Sequence, residues 1–267
     1  MTYNKPAQLT TAELAKTVAD EGWSMVGTLD TTTSSRLLRA VDEVAARSTD
    51  AGTGGELHVL SGLAQHPDLA EVVDWPPLLD LAVELLSPNI SINHSHLDVH
   101  PPHPPTGAHR WHRDNGLMGR DMRLLWQDQP RVTLKVAIYL TDVESADDGA
   151  LEVVPGSHLD TASRYPAEEQ PTGVPILGPA GTVAVFDARL WHRRRDNLGT
   201  RIRRAMFMAY SYRWLTSRDT PFEQVPEWAS LPPIRRQLLG ETTVDPFYWA
   251  PGELPLDPRY TASQEAA

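Results

Sequence analysis

The stretch "GAHRWHRDNG", residues 107–116, sets His112 and Asp114 two positions apart. In a strand, residues i and i+2 face the same way, so such a pair presents an imidazole and a carboxylate to one ion. The same His-x-Asp pattern stands at His66-Pro67-Asp68, His96-Leu97-Asp98 and His158-Leu159-Asp160. His66 and Asp68 are set aside, because the proline between them suits a turn or a helix start. Among the other three pairs, spacing alone does not choose. A redox-active iron held on nitrogen and oxygen needs a third protein ligand, and two histidines with one carboxylate leave coordination positions open for reactants. That third ligand must be a remote histidine, and His192 in "VAVFDARLWHRRRDN", expected at the end of an apolar strand, is the best placed. Eleven residues later Arg203 lies on "RIRRAMFMAYSY", the strand expected to run back beside it. An arginine fork there can hold a carboxylate in two parallel hydrogen bonds, which suits a dicarboxylate cosubstrate. Arg201 and Arg204 compete for that role, and the spacing from His192 favours Arg203.

Other residues read less sharply. "HSHLDVH" places His94, His96, Asp98 and His100 on one strand face, a metal site by chemistry alone, a substrate-contacting wall or packed core histidines. Lys135, one of three lysines, sits inside the apolar run "VTLKVAIYL". A buried amine needs a partner, so Lys135 is expected to assist the cosubstrate carboxylate or meet an acidic substrate, unless it snorkels from a strand edge. Trp111 and Trp191 are expected to pack behind the metal residues, and Arg193 to Arg195 to form a solvated or loop-facing patch, unless one of them steers an anionic substrate. The segment "NGLMGRDMRLLWQDQ", with Leu117, Met118, Arg120, Arg123, Leu124 and Trp126, and the loop "HPPHPPTGAH" are expected to cover the site. Their mixture of apolar and basic residues suggests a substrate of mixed apolar and anionic character.

The elements that must position these residues fall into two blocks. Ser/Thr caps and apolar residues three and four apart predict helices over 10–21 and 32–48, and a proline-opened helix over 76–86, so the first third, about 1–89, is mainly helical with a strand at 22–29. From about residue 90 the period changes to two, and strands are predicted at 89–100, 131–143, 150–155, 181–186 and 204–214. Helices followed by antiparallel strands make an α+β domain with a mainly β core, a sandwich or barrel, at about 90–215. A C-terminal extension over 216–267 carries one predicted helix at 230–239. At 267 residues the chain is read as a single domain. A formal net charge of −11 argues against general nucleic-acid binding, and the absence of cysteine excludes disulfides and thiolate metal sites. No run approaches membrane-spanning length and the N-terminus lacks a signal-peptide core, so a soluble, cytoplasmic protein is expected. Nothing in the sequence specifies an oligomeric state.

"WHRD" at 111–114, "DGALEVVPGSH" at 148–158 and "GTVAVFDARLWHRRRDN" followed by arginine, in that order, resemble the phytanoyl-CoA dioxygenase family of Fe(II)/2-oxoglutarate-dependent oxygenases. The resemblance implies a double-stranded β-helix, or jelly roll, flanked by helices. It implies that His112, Asp114 and His192 bind iron and that Arg203 binds the distal carboxylate of 2-oxoglutarate. It also implies that His158 belongs to a structural turn and that the strand of His96 and Asp98 lines the barrel. The implied chemistry consumes 2-oxoglutarate and O2 and oxidises an unactivated carbon of a small molecule. An aspartate at 114 favours hydroxylation, desaturation or cyclisation over halogenation, for which related enzymes leave that position open to chloride. A zinc hydrolase and a non-catalytic jelly-roll binding protein are the rival readings.

Overall fold

The computed structural model describes residues 9–48, 55–107, 109–114, 121, 123–125, 128–160 and 171–258. Helix α1, Thr11–Glu21, begins in a capping box: the Thr10 hydroxyl accepts from the Glu13 amide while the Glu13 carboxylate accepts from the Thr10 amide. It stops at Gly22, whose φ of 80° is the left-handed conformation that glycine adopts at little cost. Strand β1 is Trp23–Thr28. Asp30 caps α2, Thr31–Arg47, and two prolines open α3, Pro76–Leu85. Between α2 and α3 lies β2, Leu57–Leu60, a strand that the mainly helical reading of the first third did not contain.

The remaining strands are β3, Ile90–His100, β4, Thr133–Tyr139, β5, Leu151–Val153, β6, Val174–Pro175, β7, Thr182–Asp187, β8, His192–Arg194, and β9, Arg203–Tyr212. A short helix α4, Pro233–Leu238, follows. Six strands form one antiparallel sheet in the order β1-β7-β4-β9-β3-β2, and three form a second in the order β6-β5-β8. The two sheets make the jelly roll, a mainly β core with helices on one side. His192 does not end the apolar strand as the sequence suggests. The strand stops at Asp187, a turn closed by the Leu190 amide on the Asp187 carbonyl reverses the chain, and His192 opens β8 in the other sheet.

Each long strand divides its side chains between two environments. Leu134, Val136, Ile138, Val183, Val185, Met206 and Met208 face outward and join Leu37, Val41, Leu78 and Leu79 of the helices in one apolar cluster. That cluster extends from Leu14 to Leu256. The alternate residues Ala137, Tyr139, Ala184, Phe186, Ala205 and Phe207 face inward and meet Leu151, Val153 and Ile176 of the second sheet. On β3 the alternation is broken by a bulge: Ile92 pairs with Tyr210, but His94 pairs with Ala209, leaving Asn93 as the extra residue. Before the bulge Ile90 and Ile92 are outward, after it Leu97 and Val99 are, so His94, His96, Asp98 and His100 all turn into the barrel. Among the described residues no helix is long and apolar enough to cross a membrane.

Two predictions follow from this packing. A Cβ on Gly22 would lie 2.5 Å from Leu190 Cδ1 and 2.6 Å from His158 Nδ1, in a left-handed conformation. Gly22→Ala is therefore expected to cost about 2 to 4 kcal/mol in urea unfolding, from backbone strain and overpacking together. Burial pushes the imidazole of His96 down to about 3 and that of His100 down to about 4. Unfolded chains protonate histidine near 6.5, so between that pH and about 4 the unfolded state binds more protons and stability falls as the pH falls. The metal-free protein should lose about 2 kcal/mol per buried imidazole between pH 7 and 5. His96→Gln should flatten the slope, and an unfolding free energy that does not change over this range would contradict the reading.

Candidate active site

The first two metal-type residues lie on an extended segment held by backbone hydrogen bonds to the chain around His192. The His112 amide donates to the His192 carbonyl and the His192 amide to the His112 carbonyl, both at 3.0 Å, and the Asp114 amide donates to the Ala188 carbonyl at 2.9 Å. The turn that precedes His192 is fixed by a buried knot of charge. The Asp187 carboxylate accepts from Arg189 Nη2 at 2.7 Å and from Arg131 Nε at 2.8 Å. Although burial alone would raise its pKa, bonding to Arg189 and the charge of Arg131 hold it below the usual carboxylate range.

These contacts bring His112, Asp114 and His192 together with their ligand atoms within 4.8 Å of one another. The Nε2 atoms of His112 and His192 stand 3.8 and 3.7 Å from the Asp114 carboxylate, too long for hydrogen bonds but the separation of two ligands each about 2 Å from a shared ion. The tautomers are set as well. His112 Nδ1 lies 3.0 Å from the Arg110 carbonyl and His192 Nδ1 lies 2.9 Å from the Leu190 carbonyl. A carbonyl only accepts, so each Nδ1 carries the proton and each Nε2 turns a lone pair toward Asp114. Burial pushes His192 down to about 4, which keeps it neutral as a ligand must be. Asp114 stays ionised: burial opposes this, and His192, Lys135 and His112 overcome it, leaving its pKa well below the carboxylate range. The set is all nitrogen and oxygen, two imidazoles and one carboxylate, and it fits a non-haem ferrous ion.

Lys135 belongs to this group. Its Nζ is 2.9 Å from Asp114 Oδ2, and β4 lies between β7 and β9, so it is not a snorkelling edge residue. Arg203 is placed differently. Of the three competing arginines it alone faces the barrel interior, while Arg201 pairs with Asp142 and Glu144 and Arg204 with Asp42 at the outside. Arg203 is 2% exposed, lies over the rings of Tyr139 and Phe207, and has Asp98 Oδ2 3.7 Å from its Nη1. None of its three nitrogens makes a hydrogen bond to the described residues. A buried guanidinium in that state is a fitting receptor for an anion.

A cavity of about 1040 Å³ opens beside these groups. Its lining includes Asp114, Lys135, His112 and His192, with Phe186, Leu151 and Phe207, and also His58, His94, His96, Asp98, Glu56 and Arg194, the ring of His96 stacking on that of Phe207. Arg194 corrects an expectation of the sequence. It is not part of a solvated patch: two residues after His192 on β8, it faces the cavity, with Nη2 2.7 Å from Glu56 and Nη1 3.5 Å from Asp98. Arg193 lies over the ring of Trp111 and bonds Glu152, and Arg195 pairs with Asp147. Glu56 and His58 were not anticipated, since the strand that brings them in is four residues long. The only signal is the alternation in "ELHVL".

Two further groups could hold a metal by composition, Glu56 with His100 and His103, and His58 with His96 and Asp98. In both, a carboxylate is already hydrogen-bonded to an imidazole, Glu56 to His100 and Asp98 to His58 at 2.8 Å, and carries an arginine as well. The spacing of His112, Asp114 and His192 suits an ion better. His158 is remote from all three, buried in a turn with Nε2 on the Ala19 carbonyl, and His66 caps a 3-10 turn. Leu117, Met118, Arg120 and Trp126 lie outside the described residues. Arg123 has a φ of 55°.

Solved structures share this fold. The non-haem α-ketoglutarate-dependent epimerase SnoN from nogalamycin biosynthesis aligns with a TM-score of 0.61 at 18% identity, over 75% of this chain and 82% of its own. The non-haem α-ketoglutarate-dependent carbocyclase SnoK from the same biosynthesis aligns at 0.58 and 21%, over 77% and 87%. The non-haem monooxygenase ThoJ, solved with nickel, aligns at 0.56 and 20%, over 78% and 80%. No curated protein matches the sequence. Residues 28–205, two-thirds of the chain, match the model of the phytanoyl-CoA dioxygenase (PhyH) family, and the chain belongs to that family of Fe(II)- and 2-oxoglutarate-dependent enzymes.

Proposed function

We propose that this protein is an oxygenase that hydroxylates, desaturates or cyclises an unactivated carbon of a small secondary-metabolite intermediate, with release of succinate and CO2. The observation that carries the reading is the convergence of two tautomer-fixed Nε2 lone pairs and one carboxylate within 4.8 Å, at the wall of a large cavity. His112, Asp114 and His192 would hold the iron, and Arg203 the distal carboxylate of 2-oxoglutarate. When bound, iron with 2-oxoglutarate and O2 supplies the oxidising power to take hydrogen from carbon, which side chains alone lack.

The chain's own part is positional. The Arg110 and Leu190 carbonyls keep both imidazoles in the ligating tautomer, and Lys135 steadies the Asp114 carboxylate from the Oδ2 side while leaving Oδ1 toward His112. Phe186, Leu151 and Phe207 form an apolar floor that excludes water from the reacting carbon. Asp114 fills the position that a halide would need, which favours oxygenation, desaturation or cyclisation over halogenation. The family name does not describe the substrate. Lys135 is the one lysine among the cavity-lining residues and it is engaged with Asp114, so no lysine patch for the phosphates of a coenzyme-A ester is present there. A cavity of this size takes the cosubstrate and a further molecule of natural-product scale, and Arg110 and Arg218 at its wall suit an anionic group on that molecule. The epimerase and carbocyclase activities named for SnoN and SnoK support a range of outcomes on this fold. One continuous apolar cluster from Leu14 to Leu256 supports a single domain.

The test is anaerobic addition of Fe(II) and 2-oxoglutarate to metal-free protein, watching for the weak visible absorption band of chelated 2-oxoglutarate, followed by O2-dependent succinate formation. Wild type is expected to show both. Asp114→Ala should lose the band through loss of iron, and Arg203→Ala should retain iron but need about 100-fold more 2-oxoglutarate, the worth of a bidentate charge-assisted contact. Iron binding without a band would reject the proposal and leave a zinc hydrolase or a binding protein.

A further inference from the structure

Arg203 has a partial counter-ion within the barrel. Asp98 Oδ2 lies 3.7 Å from Arg203 Nη1, close enough to balance charge and too far to hydrogen-bond. The same carboxylate has other partners: Oδ1 accepts from His58 Nδ1 at 2.8 Å, and Oδ2 lies 3.5 Å from Arg194 Nη1. Asp98 lines the cavity, whereas Arg203 is not among the lining residues, and the two are in adjacent positions on paired strands, with His100 opposite Arg203 and Asp98 opposite Ala205. The small side chain of Ala205 leaves room in front of Asp98. Asp98 thus stands both at the cavity and beside the Arg203 guanidinium.

We propose that Asp98 is a built-in competitor for the cosubstrate anchor: it balances Arg203 while the site is empty, and it shifts toward Arg194 and His58 when a dicarboxylate arrives. The inference rests on Arg203 being the anchor for 2-oxoglutarate. Two carboxylates on one guanidinium repel each other strongly where little water screens them, so both cannot hold their best positions at once. Asp98 can yield because its remaining partners are already in place. The arrangement has a structural reason, since a guanidinium that is 2% exposed would otherwise stay uncompensated in the empty barrel. Its cost is weaker cosubstrate binding. Asp98 is thus a specificity-setting residue for the dicarboxylate, acting through Arg203 and not through the metal.

The experiment compares wild type with Asp98→Asn, which keeps the side-chain shape and the acceptor for His58 but removes the charge. With Fe(II) present and O2 absent, 2-oxoglutarate is titrated by the visible band, and with Mn(II) by the rise in melting temperature. Asp98→Asn is expected to bind 2-oxoglutarate about tenfold more tightly and to melt at a lower temperature than wild type without cosubstrate. A Kd equal to or weaker than that of wild type overturns the proposal. Should the variant not fold, crystals of wild type with Mn(II) decide: with 2-oxoglutarate bound, the Asp98 carboxylate should have left Arg203 for Arg194, and a carboxylate still beside Arg203 overturns the proposal. Failure of the underlying reading looks different, because wild type itself would then show neither band nor 2-oxoglutarate in the crystal.

Discussion

Charge enclosed in a barrel has to be balanced inside it, and the interior of this protein is organised around that requirement. Asp114 is held by Lys135, Asp187 by Arg131 and Arg189, Glu56 by Arg194, and Asp98 by His58 with two arginines nearby. Apart from Asp187 with Arg189, each pairing joins segments distant in the chain, so the ion pairs also fix how the elements meet. Arg131, just before β4, and Arg189, after β7, grip one carboxylate at the end of β7 and thereby set the turn from which His192 emerges. Removing every partner of one of these carboxylates would leave a buried charge uncompensated, which is costlier than the pair is stabilising.

The helices are what make such an interior tolerable. A barrel interior that gives part of its wall to histidine and arginine keeps only a smaller apolar cluster, and the other face of the same sheet builds the larger one against α1, α2 and α3. The two roles coexist on one strand because side chains alternate. On β3 strict alternation would put Ile90, Ile92, His94, His96, Asp98 and His100 all on one face, and the bulge at Asn93 separates them: isoleucines face the helices at one end, and the imidazoles and Asp98 face the cavity at the other. A one-residue irregularity in register therefore decides whether the polar wall exists at all.

Much of this was legible in the sequence because it follows local rules. Caps and apolar spacing marked α1, α2 and α3, and the change to period two marked the β core. His192 and Arg203 stood out as a histidine and an arginine next to apolar runs. What was hidden depended on contacts distant in the chain. Strand β2 is too short to carry a periodic signal, so Glu56 and His58 were invisible until β3 paired with it. Arg194 looked like one of three solvated arginines, and only the reversal at Asp187–Leu190, which starts a new strand in the second sheet, turns it toward the cavity. The choice among the His-x-Asp pairs was likewise beyond spacing: all share the pattern, but at 112–114 the backbone pairs with His192 itself.

That backbone bridge also constrains where selectivity can reside. His112 and His192 exchange two amide hydrogen bonds, and Asp114 is tied to Ala188, so the three groups are positioned by main chain that tolerates many side-chain changes around it. The bridge closes one side of the group, and the cavity beside it is also lined from β2, β3 and Arg194. Under the proposed function a substrate approaches the metal position through this cavity, past His58, His94, His96, Asp98 and Glu56. On this argument the motif that identifies the family and the residues that choose the substrate lie on different strands. A fold that separates the two is compatible with outcomes as different as the epimerase and carbocyclase activities named for SnoN and SnoK.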